Sequence, residues 1–224
     1  QYHAGIQPHL VFRIPLARKA SPPMVAEMLK RVGISVVSIE PDNAVIAFRS
    51  ESDLEEFHRA VATYSDGPTT NPKTGDPYKS TQWDLVEYIE VDHMGLWSRT
   101  DRVGPRLASS IGGNADGIDL ENSYVVDVEL WHRGTSDLAG SAIGEVETLI
   151  NNHGQEGDCL TDKFIGQFTC LARLKIAGAT LDLLLDLDTV AEIESPPQPT
   201  FSSSLGWISP TSVYSLIIRI LKSN

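Results

Sequence analysis

Tyr124-Val125-Val126-Asp127-Val128-Glu129-Leu130-Trp131 opens the stretch that decides the fold. It ends at Val190-Ala191-Glu192-Ile193-Glu194 and is closed by Ser195-Pro196-Pro197-Gln198-Pro199. Tyr124, Val126, Val128 and Leu130 alternate with Asp127, Glu129 and Trp131, the period of a strand with one buried face. Ile143, Val146, Leu149 and Ile150 recur at helical spacing and run out near Asn151 to Gly154. Phe168, Cys170, Leu174 and Ile176 alternate again and are expected to form a hairpin with Asp158 to Asp162. Thr180 is placed to cap a helix carrying Leu181, Leu184 and Leu185, and Val190 to Ile193 supply a last strand. This strand-helix-strand-strand-helix-strand order predicts two helices over one face of a four-stranded antiparallel sheet.

A less complete copy of the order lies upstream. Leu10, Phe12, Ile14 and Leu16 alternate with Val11, Arg13 and Pro15 as a strand. Ser21-Pro22 starts a helix with Met24, Met28, Leu29 and Val32 on one stripe, and Gly33 can end it. Ile34 to Ile39 and Ala44 to Phe48 read as strands joined through Pro41-Asp42-Asn43. Ser52 with Glu55 reads as a capping box before Leu54, Phe57 and Val61. Ser65 to Lys79 is an exposed loop, Trp83 to Val91 is expected to supply the missing strand, and Ser98 with Asp101 to open a short helix reaching Leu107 across Pro105. Gly112-Gly113 and Asp116-Gly117 mark a linker. The predicted class is α+β: two tandem ferredoxin-like (βαββαβ) sandwiches with antiparallel sheets. The modules span 9–107 and 123–195, joined by a linker at 108–122 and followed by a Pro-rich linker and atypical tail at 196–224.

Composition limits the partners. The 224 residues carry 41% hydrophobic and 21% charged side chains, an ordinary globular balance. A net charge of −12 repels phosphate backbones and anionic membranes, so nucleic acid is not expected as a partner. The apolar run Val213 to Leu221 falls short of the roughly 20 residues that cross a bilayer. Gln1-Tyr2-His3-Ala4-Gly5 has no initiator Met and no leader pattern, which predicts a trimmed or fragmentary N-terminus. With a turn at Lys163 to Gly166, Cys159 and Cys170 would stand opposite each other and a bridge is conceivable. The favoured reading is two buried thiols in a reducing, cytoplasmic compartment.

No catalytic, cofactor-binding or metal-binding set emerges. His58 and His132 are read as packing or surface residues, and His9, His93 and His153 lack paired ligand spacing. Asn114, Asp116, Gly117, Asp119 and Glu121 crowd like a calcium loop, but aligning Gly117 on the required glycine puts Gly112 and Ser123 at ligand positions. Asp182, Asp186 and Asp188 read as a polar helix face, and no glycine-rich phosphate loop is present.

Tyr124 to Trp131, Leu171-Ala172-Arg173-Leu174-Lys175-Ile176-Ala177-Gly178, and Leu183-Leu184-Leu185 through Val190-Ala191-Glu192-Ile193-Glu194 to Pro199 resemble the region before the catalytic domain of bacterial subtilisin-like serine peptidases (subtilases) encoded beside an AAA-type ATPase. His9 to Leu16 and Asp101 to Leu107 resemble earlier blocks of that region, so the likeness runs from about His9 to Phe201. The Asp, His and Ser blocks of the catalytic domain are absent. The resemblance implies a propeptide-like chaperone, inhibitor or protein-interaction role, with a subtilisin-like catalytic domain and an AAA-type ATPase as partners. It also implies that Val190, Ala191, Glu192, Ile193 and Glu194 and the tail after them contact the catalytic domain. The alternative is a regulatory pair of ACT-like domains that binds a small metabolite between them.

Overall fold

The computed structural model describes residues 6–197 except 41, 68, 72, 79, 80, 133 and 168. The expected strand position of Phe168, the turn residue Pro41 and the tail beyond Pro197 lie outside the described residues.

The first module builds β1 (Val11–Pro15), α1 (Pro22–Arg31), β2 (Ser35–Ile39), β3 (Asn43–Ala47) and α2 (Glu51–Ser65). A two-residue hairpin, β4 (Thr69–Thr70) with β5 (Pro77–Tyr78), decorates the loop after α2. The fourth strand, β6 (Gly95–Leu96), completes an antiparallel sheet in the order β2-β3-β1-β6. Phe12, Ile14, Val25, Leu29, Ile46, Phe48 and Phe57 fill the core beneath the helices. Gly33 ends α1 at φ +81°, a left-handed conformation that favours glycine.

Two local expectations change here. The α2 cap is Ser50, whose Oγ accepts the Asp53 N–H at 3.2 Å, because Ser52 already lies inside the first turn. Trp83 to Val91 is not a strand. Residues Thr81–Glu87 wind as a 3-10 helix that drops Leu85 into the core, Ile89 bridges Leu16, and a second 3-10 turn at Val91–His93 carries the chain to β6. The edge of β1 is therefore covered in two pieces.

The second module builds β7 (Ser123–Leu130), α4 (Ser136–His153), β8 (Cys159–Ile165), β9 (Cys170–Ala177), α5 (Gly178–Leu184) and β10 (Val190–Glu194), with sheet order β10-β7-β9-β8. Cys170, Ala172, Leu174 and Ile176 alternate inward along β9, over Ala139, Ile143, Val146, Leu181 and Leu184 of the helices. Both sheets are antiparallel, and together they form tandem ferredoxin-like sandwiches.

β8 runs to Ile165 and β9 starts at Cys170, so the chain reverses later than expected. Ile165 pairs with Cys170 and Cys159 with Lys175, so the two thiols do not oppose each other. Both are free: Cys170 is buried but Cys159 is exposed. The stretch expected as a linker, Ala108 to Asn122, instead enters the second core. Helix α3 (Pro105–Ser110) and the turns after it bury Leu107, Ile111, Ala115 and Ile118 there. Pro105 stands at the first helical position, where its missing N–H is harmless, and so starts α3 rather than interrupting it. The last of these turns closes on α5, with Gly178 N donating to Asn122 O at 2.8 Å and Ala179 N to Leu120 O at 3.1 Å. A Cβ on Gly178 would lie 2.0 Å from the Asp119 carbonyl oxygen, so only glycine fits.

Thr180 does not cap α5; the N-cap is Ala177. The open N–H groups of its first turn go to Asn122 O and Leu120 O, and Asp158, from the loop before β8, ties down the junction of β9 and α5. Its Oδ1 accepts the Ala177 N–H at 2.7 Å, and its Oδ2 accepts the Gln155 N–H at 2.8 Å and the buried Thr180 hydroxyl. Burial pushes this carboxyl up, but the hydrogen bonds from Thr180, Gln155 and Ala177 outweigh it and hold the pKa below the ordinary value. A depressed folded-state pKa stabilises above the unfolded value and is lost as pH falls through the folded one. Asp158→Asn should therefore lower the urea midpoint at pH 7, and the gap to the parent should narrow below about pH 4.

Candidate functional site

Each sheet carries helices on one face, and the bare faces meet. Val11, Val45 and Ala47 of the first module and Trp131 and Ala191 of the second form a buried cluster, with Ile6, Val37 and Trp97 packed against it. Trp97 meets Trp131 edge to face, ring centroids 6.0 Å apart, and its Nε1 donates to Ala191 O at 2.8 Å. Because both faces of the first sheet are covered here, all five residues of β3 are buried.

The chain crosses from one module to the other through 97–107, and ionic and polar bonds fix that crossing. Ser98 N and Oγ donate to Asp101 Oδ2, which closes a turn rather than opening a helix. Asp101 Oδ1 receives Arg13 Nη1 at 2.9 Å. Arg99 pairs with Asp182 and with Asp186, the latter at 3.0 Å. Arg102 is buried, and donates to Leu185 O at 2.7 Å, Val190 O at 3.2 Å and Asp188 Oδ1 at 2.9 Å. Asp182, Asp186 and Asp188 are thus the counter-ions of the crossing segment. Leu185 is the C-cap of α5, where a carbonyl lacks an intrahelical donor and a cation is favoured.

Sequence periodicity does not reveal Arg99 and Arg102, because their partners lie more than 80 positions away and local spacing gives no sign of them. Arg102→Met should cost about 1–3 kcal/mol of unfolding free energy, since two buried carbonyls lose their donor. Arg102→Lys should recover only part of the loss in the same urea titration, because one ammonium cannot span the guanidinium's acceptors.

β10 is fastened by the same segment. Val190, Ala191 and Ile193 are buried, while Glu192 and Glu194 are partly exposed. Val103 forms a parallel bridge with Ile193: Ile193 N donates to Arg102 O at 2.7 Å, and Gly104 N to Ile193 O at 2.9 Å. Glu194 Oε2 accepts the N–H groups of Arg106 (3.0 Å) and Leu107 (3.2 Å), which α3 leaves unpaired in its first turn. A Cβ on Gly104 would come within 2.4 Å of the Glu194 side chain. The edge of β10 at Ile193 is therefore occupied by the protein's own chain.

The opposite edge is open. Six of the seven β8 residues are exposed, among them Phe164 at 42% and Ile165 at 38%. On the face away from the helices Phe164 stands beside Leu171, and Leu171 beside Glu129. The next row holds Arg173, bonded to Asp127 through Nε at 2.6 Å and Nη2 at 2.8 Å, and beyond it Val125 is 49% exposed.

The histidines are dispersed. His132 Nδ1 accepts the Gly134 N–H while Nε2 lies 3.2 Å from Gly166 O, His93 pairs with Glu90 at 3.4 Å, and His9 and His153 are exposed. Asp119 Oδ1 accepts the Glu121 N–H, a local turn within the acidic loop. Among the described residues no group of three or more His, Cys, Asp or Glu is arranged to hold a metal ion, and no helix is long and apolar enough to cross a membrane.

Comparison with known proteins corrects the subtilase resemblance. Residues 101–195 match the family model of the Y4kK central domain, and residues 1–91 that of the Y4kK N-terminal domain. The uncharacterized protein y4kK of Sinorhizobium fredii is 24% identical over 172 residues, 76% of this chain and 51% of that protein. The chain thus spans about half the length of the curated relative it matches. None of these matches is to a subtilase propeptide, and the strand blocks quoted for the resemblance fall inside the residues that the Y4kK domain models match. In their order along the chain, the two modules are similar to the N-terminal and central domains of Y4kK.

Proposed function

We propose that this chain is a non-catalytic, polypeptide-binding region of a longer cytoplasmic protein. One observation carries the reading: the β8 edge and Phe164 stay uncovered beside a half-buried Leu171, although the chain covers the far edge of the same sheet at Ile193 and the bare face of the first. A strand edge presents unpaired N–H and C=O groups, which an extended segment can satisfy while its side chains read the adjacent surface. The half of y4kK beyond the match is a natural source of such a segment. The free thiols support a reducing compartment. A metabolite lodged between the modules would have to displace Trp97 and Trp131, whose rings pack together there.

Selection of phage-displayed extended peptides on the purified chain tests the proposal. Selected peptides should bind with micromolar affinity, and Phe164→Lys should weaken them at least tenfold, about 1.4 kcal/mol, while Leu138→Lys on α4 should not. Equal binding to the Phe164→Lys variant would refute it.

A further inference from the structure

Two carboxylates stand side by side on the sheet face that turns toward the first module: Glu192 on β10 is directly paired with Glu129 on β7. Neither has an ion pair or a side-chain hydrogen bond among the described residues. The groups around them are mostly acidic. Glu194 lies on the same strand, Arg106 sits on α3, and the charge of Glu40, in the β2–β3 turn of the first module, also acts on Glu192. The cations are already engaged: Arg106 with Glu194 at 3.5 Å, Arg13 with Asp101 and Asn43, and Arg173 with Asp127. The Asn43 amide is spent on Glu40 Oε2 at 2.9 Å. On the β9 side Glu129 faces apolar Leu171, next to the buried Cys170 thiol.

We propose that the seam between the two modules is a proton-sensitive joint, closed when Glu192 or Glu129 carries a proton and loosened when both are charged against Glu40. Glu40 is the member that belongs to the other module, so its repulsion of Glu192 is the part that docking switches on. Burial raises the Glu192 pKa above its ordinary value, Glu194 and Glu129 raise it further, Arg106 opposes them, and Glu40 adds to the rise. Glu129 is raised by the protein packed around it, although one side stays open to solvent. The share of that rise which the first module adds, its cover of this face and the Glu40 repulsion, makes docking take up a proton, so the docked state gains as pH falls through the raised value.

Fluorine NMR of the full chain labelled with 5-fluorotryptophan reads the joint through Trp97 and Trp131, with Trp83 in the first core as an internal control. Between pH 7.5 and 5 the Trp97 and Trp131 signals should move together toward one limiting state while Trp83 holds still. Glu192→Gln should populate that state several-fold more at pH 7.5 and flatten the titration. Glu40→Lys, which leaves the second sheet untouched, should do the same by placing a cation opposite Glu192. The proposal fails if the seam signals do not titrate, or if they titrate identically in both variants and the parent.

Discussion

A four-stranded sheet with both its helices on one side leaves its other side to be covered, and this chain covers one bare sheet with another. Val11, Val45 and Ala47 would be solvent-facing in an isolated first module; against Trp131 and Ala191 they are buried. Full burial of a valine is worth about 1.5–3 kcal/mol, so the seam contributes on the scale of a small domain's net stability. The crossing segment depends on that contact. Trp97 enters the seam, Arg99 and Arg102 fasten α5, Val103 extends the second sheet, and Leu107 reaches the second core. Residues that follow the first module's last strand thus serve the second.

That arrangement explains which features were legible in the sequence. The alternation along β7 and β9 reports one apolar and one mixed face, and the structure follows it residue for residue. Ala44 to Phe48 is apolar without alternation, the mark of a strand covered on both sides, and it holds the one local trace of the docking between modules. The ion pairs at 99 and 102 leave no such trace, because Arg and Asp more than 80 positions apart look like ordinary surface charge until the fold brings them together. The fourth strand of the first module, expected at Trp83 to Val91, lies later at Gly95–Leu96 because a 3-10 turn separates it from the bridge at Ile89. The hairpin turn was placed too early because β8, exposed at its outer edge, has no apolar period to mark where it ends.

The subtilase resemblance failed for a related reason. Its longest blocks are strands, and any strand of a βαββαβ sheet must alternate in the way Tyr124 to Leu130 does. Such likeness reports the shared sheet geometry, whereas activity resides in particular side chains grafted onto a fold. Without an active-site signature, the pattern shows the fold and is silent about ancestry.

The open edge is not indiscriminate. At its middle Lys163 is held to Glu147 on α4 at 3.1 Å, and Asp162 Oδ1 accepts the Lys163 N–H at 2.8 Å. Charge and a locally satisfied N–H are devices that discourage a strand from pairing with copies of itself. The apolar end, Phe164 and Ile165, lies beyond that guard and next to Leu171. An edge guarded at the centre and apolar at one end suits a short segment that docks at the Ile165 end and reads the adjacent face, rather than a partner that pairs along the whole strand.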